Sequence, residues 1–543
     1  YLLVLVSLCC ALLPALAEHP EYPELKKSDA NIIGHVLDKK TSEHLPYITI
    51  ALKGTTIGTV TDATGHYFLK NLPEGNFMME VSSVGYKTVT RSVTLKKGKT
   101  LEENFELEED AIALDGVVVS ANRSETTRRL APTLVNVVDL KLFETTNSST
   151  LSQGLNFQPG VRVETNCQNC GFQQVRINGL DGPYTQILID SRPVFSALSG
   201  VYGLEQIPAS MIERVEVMRG GGSALFGSSA IAGTINIITK EPLRNSGQLS
   251  HTITSIGGSS AFDNNTSLNA SLVTDDHRAG LYIFGQNRHR SGYDYDGDGF
   301  TELPKLKNQT VGFRSYLKTS TYSKLTFEYH HMQEFRRGGD MLDRPPHEAH
   351  IAEQLQHSID GGSLKYDYFS PNEKNRLSVF ASAANTDRDS YYGPGNDPLK
   401  AYGKTTDLTA MGGVQYVHTF DKCLFMPSDL TAGLEYNRDR LKDNMWGYDR
   451  HTDQTVKVYS AFLQNEWKNK HWGILIGGRL DKHNMVDDVI FSPRANLRFN
   501  PTDNINLRLS YSSGFRAPQA FDEDMHIENV GGTVAMIERA KDL

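Results

Sequence analysis

The sequence predicts a mainly β protein: an N-terminal β-sandwich, a mixed α/β segment, and a large antiparallel transmembrane β-barrel. Three observations lead there. Apolar and polar residues alternate through the C-terminal half, short Pro-containing turns take turns with long polar connections, and an apolar leader marks the chain for export.

The alternation is clearest late in the chain. Ile505, Leu507, Leu509 and Tyr511 interleave with Asn506, Arg508, Ser510 and Ser512, and Ala495, Leu497 and Phe499 with Arg494, Asn496 and Arg498. A strand of this kind has one apolar and one polar face. In a sandwich the arginines would point to water and the apolar set to a core. In a transmembrane barrel the apolar set faces lipid and the arginines a wet lumen. Connection lengths favour the barrel. Residues 370–374 (SPNEK) and 500–504 (NPTDN) read as tight turns, whereas 338–362 and 388–405 read as long external loops.

Bulk properties fit. Of 543 residues 22% are charged, the net charge is -9 and the mean hydropathy is -0.39. Beyond the leader no apolar run is long enough for a membrane-spanning helix, and barrel strands leave average hydropathy ordinary. The negative charge and the lack of a basic stripe argue against a nucleic-acid partner. Residues 1–17 read as a secretory signal peptide, an apolar stretch ending Ala15-Leu16-Ala17. Because the chain opens on Tyr1 with no basic n-region, a few residues of the gene product are expected to precede it. Cys9 and Cys10 would leave with the signal. Cys167, Cys170 and Cys423 then remain, too few for a disulfide framework.

Four segments follow the leader. Residues 28–109 show short alternating strands, with turns at 62–65 and 73–75, as in a small sandwich. Residues 110–123 begin acidic (Asp110 after Glu108 and Glu109) and read as a tether. It carries Val117-Val118-Val119, either the first strand of the next domain or an exposed strand for edge pairing. Residues 124–243 alternate strands, near 174–178, 186–190, 213–219 and 234–239, with glycines at Gly220, Gly221, Gly222, Gly227 and Gly233. The barrel takes 244–543.

Several motifs carry a resemblance. The stretch IERVEVMRGGGSALFGSSAIAGTINIITKEP (212–242) resembles the end of the plug domain of TonB-dependent receptors, departing chiefly at Gly221-Gly222, where Gly-Pro is usual. Val175-Arg176-Ile177-Asn178-Gly179, Ile187-Leu188-Ile189-Asp190 and SGFRAPQAF (513–521) are similar to other segments of that family. Gly54-Thr55, Thr61-Asp62, Gly65-x-Tyr67 and Val84-Gly85-Tyr86 resemble the carboxypeptidase-regulatory-like domain, which implies no peptidase. The glycine cluster lacks the Gly-Lys-Ser/Thr ending of a phosphate loop and reads as a tight turn against the barrel wall.

The resemblance implies an outer-membrane receptor of a Gram-negative bacterium, in contact with outer-membrane lipid and importing a scarce ligand with energy from TonB and its inner-membrane complex. It implies no enzyme. The first-ranked ligand is an iron–siderophore complex. The alternatives are haem, cobalamin or a copper complex or, in another class, a non-transporting surface barrel or adhesin. Asp115, Gly116, Val117, Val118, Val119, Ser120 and Ala121 are similar to the TonB box, which would pair as a strand with TonB. Plugged transporter barrels have about 22 strands. The residues after 243 supply roughly 12 to 14, so further C-terminal strands are expected to be missing.

Gln168, Asn169, Phe172, Arg192, Phe195 and Tyr202 are candidate ligand contacts at the plug apex. Cys167 and Cys170 are expected to form a disulfide in an oxidising compartment; the rival reading is a thiolate metal site with soft ligands from the barrel. Asp294, Asp296, Asp298 and Glu302, with Gly299 at the sixth position, resemble the first half of a calcium loop, although Lys305 stands where a bidentate Glu belongs. No cofactor is expected to be required, with Ca2+ in this external loop the one candidate. His347, His350 and His357, with Glu353, could share a face of a loop helix, and with His526 form a haem or metal set. The HExxH spacing of a zinc protease fails, because Ile351 occupies the second histidine's place.

Overall fold

The computed structural model describes residues 27–62, 64–83, 85–109, 117–123, 126–165, 167, 169–171, 173–193, 205, 207–393, 399, 401–502, 505–520, 527–530 and 533–535. The expected signal peptide lies outside them.

The first domain contains β1 (Lys27–Asp38), β2 (Thr49–Leu52), β3 (Gly58–Val60), β4 (His66–Pro73), β5 (Gly75–Ser82), β6 (Val89–Leu95), β7 (Thr100–Glu102) and β8 (Phe105–Leu107). One sheet runs β4-β1-β7 with β8 also on β1, and the other β3-β2-β5-β6. Ile32, Val36 and Leu69 of the first pack with Ile50, Leu52, Met79 and Val81 of the second in one buried core. The predicted turn after Asp62 forms because its carboxylate accepts the amides of Thr64 and His66. The amide of Thr56 donates to the carbonyl of Thr321 at 2.9 Å, so the sandwich abuts a short turn of the barrel.

The plug comprises β9 (Val117–Val118), β10 (Thr126–Thr127), β11 (Val135–Asp139), α1 (Leu140–Thr145), α2 (Leu151–Leu155), β12 (Val161–Thr165), β13 (Gln173–Ile177), β14 (Thr185–Ile189), β15 (Ile212–Arg219), α3 (Ser223–Phe226) and β16 (Gly233–Thr239). All four predicted strands appear, the last three in a sheet ordered β11-β15-β16-β14. Helix α1 starts where the Asp139 carboxylate caps the amide of Leu142 at 2.9 Å. At the glycine cluster Gly220 has φ +83°, and a Cβ on Gly221 would lie 2.3 Å from Oγ of Ser512 on the wall. That is the tight turn the glycines predicted.

Thirteen antiparallel strands form the wall, each paired with the next. They are β17 (Ser246–Ser255), β18 (Phe262–Val273), β19 (Ala279–Arg290), β20 (Lys305–Ser320), β21 (Ser323–Gly339), β22 (Ala352–Phe369), β23 (Asn375–Gly393), β24 (Tyr402–Cys423), β25 (Met426–Met445), β26 (Arg450–Lys468), β27 (Trp472–His483), β28 (Ile490–Thr502) and β29 (Ile505–Ser512). Among the described residues β17 and β29 do not pair with each other, and no helix is long and apolar enough to cross a membrane. Leu507, Leu509 and Tyr511 are exposed on the outer surface, whereas the Arg508 guanidinium turns inward to the carbonyls of Ala131 and Arg128. Arg494 and Arg498 are likewise buried. This is the barrel orientation of the two faces. Trp472 stacks on Phe499 at 4.2 Å, and Phe425 on Trp467 at 5.7 Å, near the short-turn end, as aromatic girdles do.

The predicted long loops are shorter than read. Strands β21 and β22 extend into 338–362, and β23 and β24 into 388–405. The polarity that suggested loops belongs in part to lumen-facing side chains: Glu353, His357 and Arg388 are all buried.

Candidate functional site

Plug and wall meet through charge. Glu205, 5% exposed, accepts ion pairs from Arg288 at 3.4 Å, Arg290 at 3.2 Å and Arg336 at 2.8 Å. Burial alone would raise its carboxyl pKa, but Arg290, Arg336 and Arg288 together hold it down at about 2. Asp190 at the end of β14 pairs with Arg314 of β20. Arg123 pairs with Glu435 of β25, which also takes Arg479 of β27 at 2.7 Å. A buried charge stays only when paired, so these pairs fix the plug's placement together with Tyr282 and Phe284 of β19, which pack into the plug's apolar core. Beside them lies a cavity of about 200 Å³, lined from the plug by Gln173 and Gln186 and from the wall by Asn437, Asp439 and His483. The segment after β29 folds onto the plug: the amide of Ser229 donates to the Phe515 carbonyl at 2.9 Å, and that of Ala517 to Ser228 Oγ at 3.1 Å.

At the long-loop end the chain turns at residues 167–171, closed by the Gly171 amide on the Cys167 carbonyl at 3.0 Å. A Cβ on Gly338, near the end of β21, would strike the Asn169 carbonyl oxygen at 1.8 Å. Asn169, between Cys167 and Cys170, thus lies against the long-loop end of β21. No S–S bond joins the two cysteines expected to pair in this structure. Instead Cys167 Sγ accepts the Cys170 amide at 3.4 Å and donates to Glu353 Oε2 of β22 at 3.2 Å. Its hydrogen bond with Cys170 leads the effects that lower the Cys167 thiol pKa to about 7. Arg192 is not an apex residue. It is 7% exposed and lies over the Phe380 ring at 4.8 Å, in the short-turn half of β23. A β-bridge to Ile189 draws it back against the plug sheet. Gln168, Phe172, Phe195 and Tyr202 lie outside the described residues.

The segment resembling the TonB box is not an exposed strand over its described part. Val117–Val118 pairs with Thr126–Thr127, and Val118, Ser120 and Ala121 are buried. One oxygen of the buried Glu216 carboxylate accepts the Val119 amide at 2.9 Å, the Ser120 amide at 2.8 Å and the Ser120 hydroxyl at 2.7 Å. Asn236 donates to Ser120 Oγ at 2.9 Å, and Arg494 of the wall to the Ala121 carbonyl at 2.7 Å. A two-residue strand offers few ladder bonds, so the amides beyond it turn to a buried acceptor. Asp115 and Gly116 lie outside the described residues.

Asp294, Asp296 and Glu302 bring one oxygen each within 4.8 Å of one another. Asp298 is outside that group and accepts the Phe300 amide at 2.8 Å. The histidines do not share a helix face, because only Pro346–Glu348 is helical, as one 3-10 turn, and Glu353 and His357 belong to β22. His347 meets the Tyr402 hydroxyl at 2.8 Å, His350 meets Asp340 at 2.6 Å, and buried His357 faces Glu334 at 3.5 Å. His526 lies outside the described residues.

Sequence reasoning missed Glu205 and Glu216 and assigned Glu353 to the histidine set. Glu216 carried a signal, a carboxylate between Val215 and Val217 in a strand buried on both sides. Such a residue needs partners, but nothing local shows which.

Comparison with known proteins accords with this architecture. Residues 32–119 match the CarboxypepD_reg-like domain, 127–234 the TonB-dependent Receptor Plug Domain, and 238–535 the TonB dependent receptor-like, beta-barrel family. The vitamin B12 transporter BtuB of Vibrio vulnificus is 24% identical over 424 residues, 75% of this chain and 64% of that protein. The ferric enterobactin receptor of Pseudomonas aeruginosa is 23% identical over 480 residues, 74% of this chain and 61% of that protein. The crystal structure of the siderophore receptor PirA from Acinetobacter baumannii superposes with a TM-score of 0.62 at 18% identity, covering 72% of this chain and 62% of that one. The chain therefore spans somewhat under two thirds of the length of these relatives. With plug and barrel both matched, and the barrel match alone covering more than half of its residues, the chain belongs to the TonB-dependent receptor family.

Proposed function

We propose that the protein is an outer-membrane importer that captures a scarce, bulky ligand at the cell surface and passes it inward when TonB pulls on the plug. The observation that carries this reading is the clasp on residues 117–121. A segment placed to couple the plug to a partner is held by hydrogen bonds, three of them to one carboxylate, and hydrogen bonds can be exchanged for those of water or a partner strand. The ion pairs of the seam point the same way, since charges released when the plug moves are hydrated by water. No bond in the ligand need break, so no reaction is proposed. Deleting residues 115–121 should abolish uptake and leave surface binding intact; normal uptake by the deletion strain would overturn the mechanism.

The first-ranked ligand is an iron–siderophore complex. Relatives named as ferric enterobactin and siderophore receptors support it, and the vitamin B12 transporter keeps cobalamin as the second reading. Haem ranks lower, because His347, His350 and His357 each face a different partner. Growth of a deletion strain on defined iron sources and on cobalamin separates the first two readings. Calcium is proposed at Asp294, Asp296 and Glu302 of the external loop. It should protect that loop from proteolysis, and cleavage at the same rate with and without calcium would remove it.

A further inference from the structure

The apex turn brings together groups that ligand capture does not require. Cys167 Sγ, Cys170 Sγ and a carboxylate oxygen of Glu353 all lie within 4.8 Å of one another. The thiols come from the plug and the carboxylate from β22 of the wall, 186 residues away from Cys167. Cys170 is fully buried and Glu353 is 2% exposed, beside Leu355, Tyr392 and Met445.

We infer that Cys167, Cys170 and Glu353 form a zinc site that pins the plug apex to the barrel wall. Two cysteines separated by two residues are a common half of a tetrahedral thiolate site, and a carboxylate is a usual further ligand. Two soft sulfurs with one hard oxygen suit the borderline zinc ion. Calcium and magnesium want oxygen alone, and copper(I) prefers sulfur throughout. The fourth tetrahedral position belongs to water or a donor atom from the incoming ligand. Binding drives the two thiol protons to solvent, leaving zinc on two thiolates and one carboxylate. The barrel-side ligand distinguishes this from a structural site within one domain: zinc here cross-links the two parts that must separate or shift during transport. The site stands whichever ligand the receptor carries.

The test uses the full chain purified from outer membranes in detergent, reduced, stripped with chelator and titrated with zinc. One zinc per chain is expected at a site weakened at least tenfold by Cys167→Ser and by Glu353→Gln, and unaffected by Cys423→Ser. Cobalt in place of zinc should give the near-ultraviolet thiolate-to-metal charge-transfer band. Imidazoles do not produce that band, which separates this site from His35, His44 and His66, whose rings gather on the N-terminal sandwich at 4.8 to 5.8 Å. The heat-dependent gel mobility of each variant checks that its barrel is folded. The inference falls if the reduced protein takes up no zinc at this site, or if a folded Glu353→Gln variant binds as wild type. It falls equally if Cys167 and Cys170 of protein isolated without reductant resist alkylation until reduced, the pair being a disulfide.

Discussion

Glu216 is the residue that holds the proposed coupling segment in place. Its carboxylate is fully buried and gathers two amides and a hydroxyl from residues 119 and 120 on one oxygen, while the other takes Arg214 Nε at 3.0 Å. Hydrogen bonds to a charged group contribute roughly 1.5–3 kcal/mol each. Glu216→Ala should therefore open the segment at least about tenfold more often. The expected readouts are faster amide exchange at Val119 and Ser120 and stronger capture by the isolated C-terminal domain of TonB. Glu216→Gln keeps the shape but must present an amide N–H either to these donors or to Arg214, so it should lie between the two. Wild-type exchange in both variants would show that Asn236 and Arg494 hold the segment instead.

At the level of elements, the strands of the wall position the plug through paired charge. Glu205 reaches Arg288 and Arg290 of β19 and Arg336 of β21. Removing one partner of a buried pair costs roughly 3–5 kcal/mol, so Glu205→Gln should lower the plug's thermal midpoint while leaving the barrel's own unfolding unchanged. The pH dependence follows from the folded pKa of about 2, depressed from 4.5. A depressed carboxyl contributes its stability fully above its unfolded pKa and loses it as pH falls toward the folded one. The wild-type plug should thus weaken between pH 4.5 and about 2, and the Glu205→Gln plug should lose that part of the acid dependence. Parallel acid profiles for the two proteins would mean that the Glu205 cluster is not what holds the plug.

Over the whole molecule, the outward face of the wall is apolar and the inward face charged, the reverse of a soluble sandwich. Ile283 of β19 is 40% exposed on the outer surface, and its neighbour Tyr282 points inward at 3%. An arginine facing the bilayer midplane costs roughly 2–4 kcal/mol. Ile283→Arg should depress folding into lipid vesicles by about that amount, as read by heat-dependent gel mobility, whereas Ile283→Leu should fold normally. Equal folding of the arginine variant would place that face away from lipid.

What the sequence by itself determined were the features that repeat or are local. The period of two in 494–499 and 505–512 assigned strands with one apolar and one polar face, because neighbouring side chains in a strand point opposite ways whatever lies around them. The Asp62 turn, the glycine turn at 220–222 and the plug strands were legible for the same reason, since their causes lie within a few residues. Where a polar stretch ends as strand or as loop was not legible, as 338–362 shows, because a lumen-facing Glu353 or His357 reads like a loop residue until its partner is known. Only the tertiary structure decided the pairings. Glu205 with three arginines, Glu216 with residues 119 and 120, and Cys167 with Glu353 each join positions far apart in the chain. A buried charge announces that it needs a partner, but which partner it meets depends on how the plug seats in the wall.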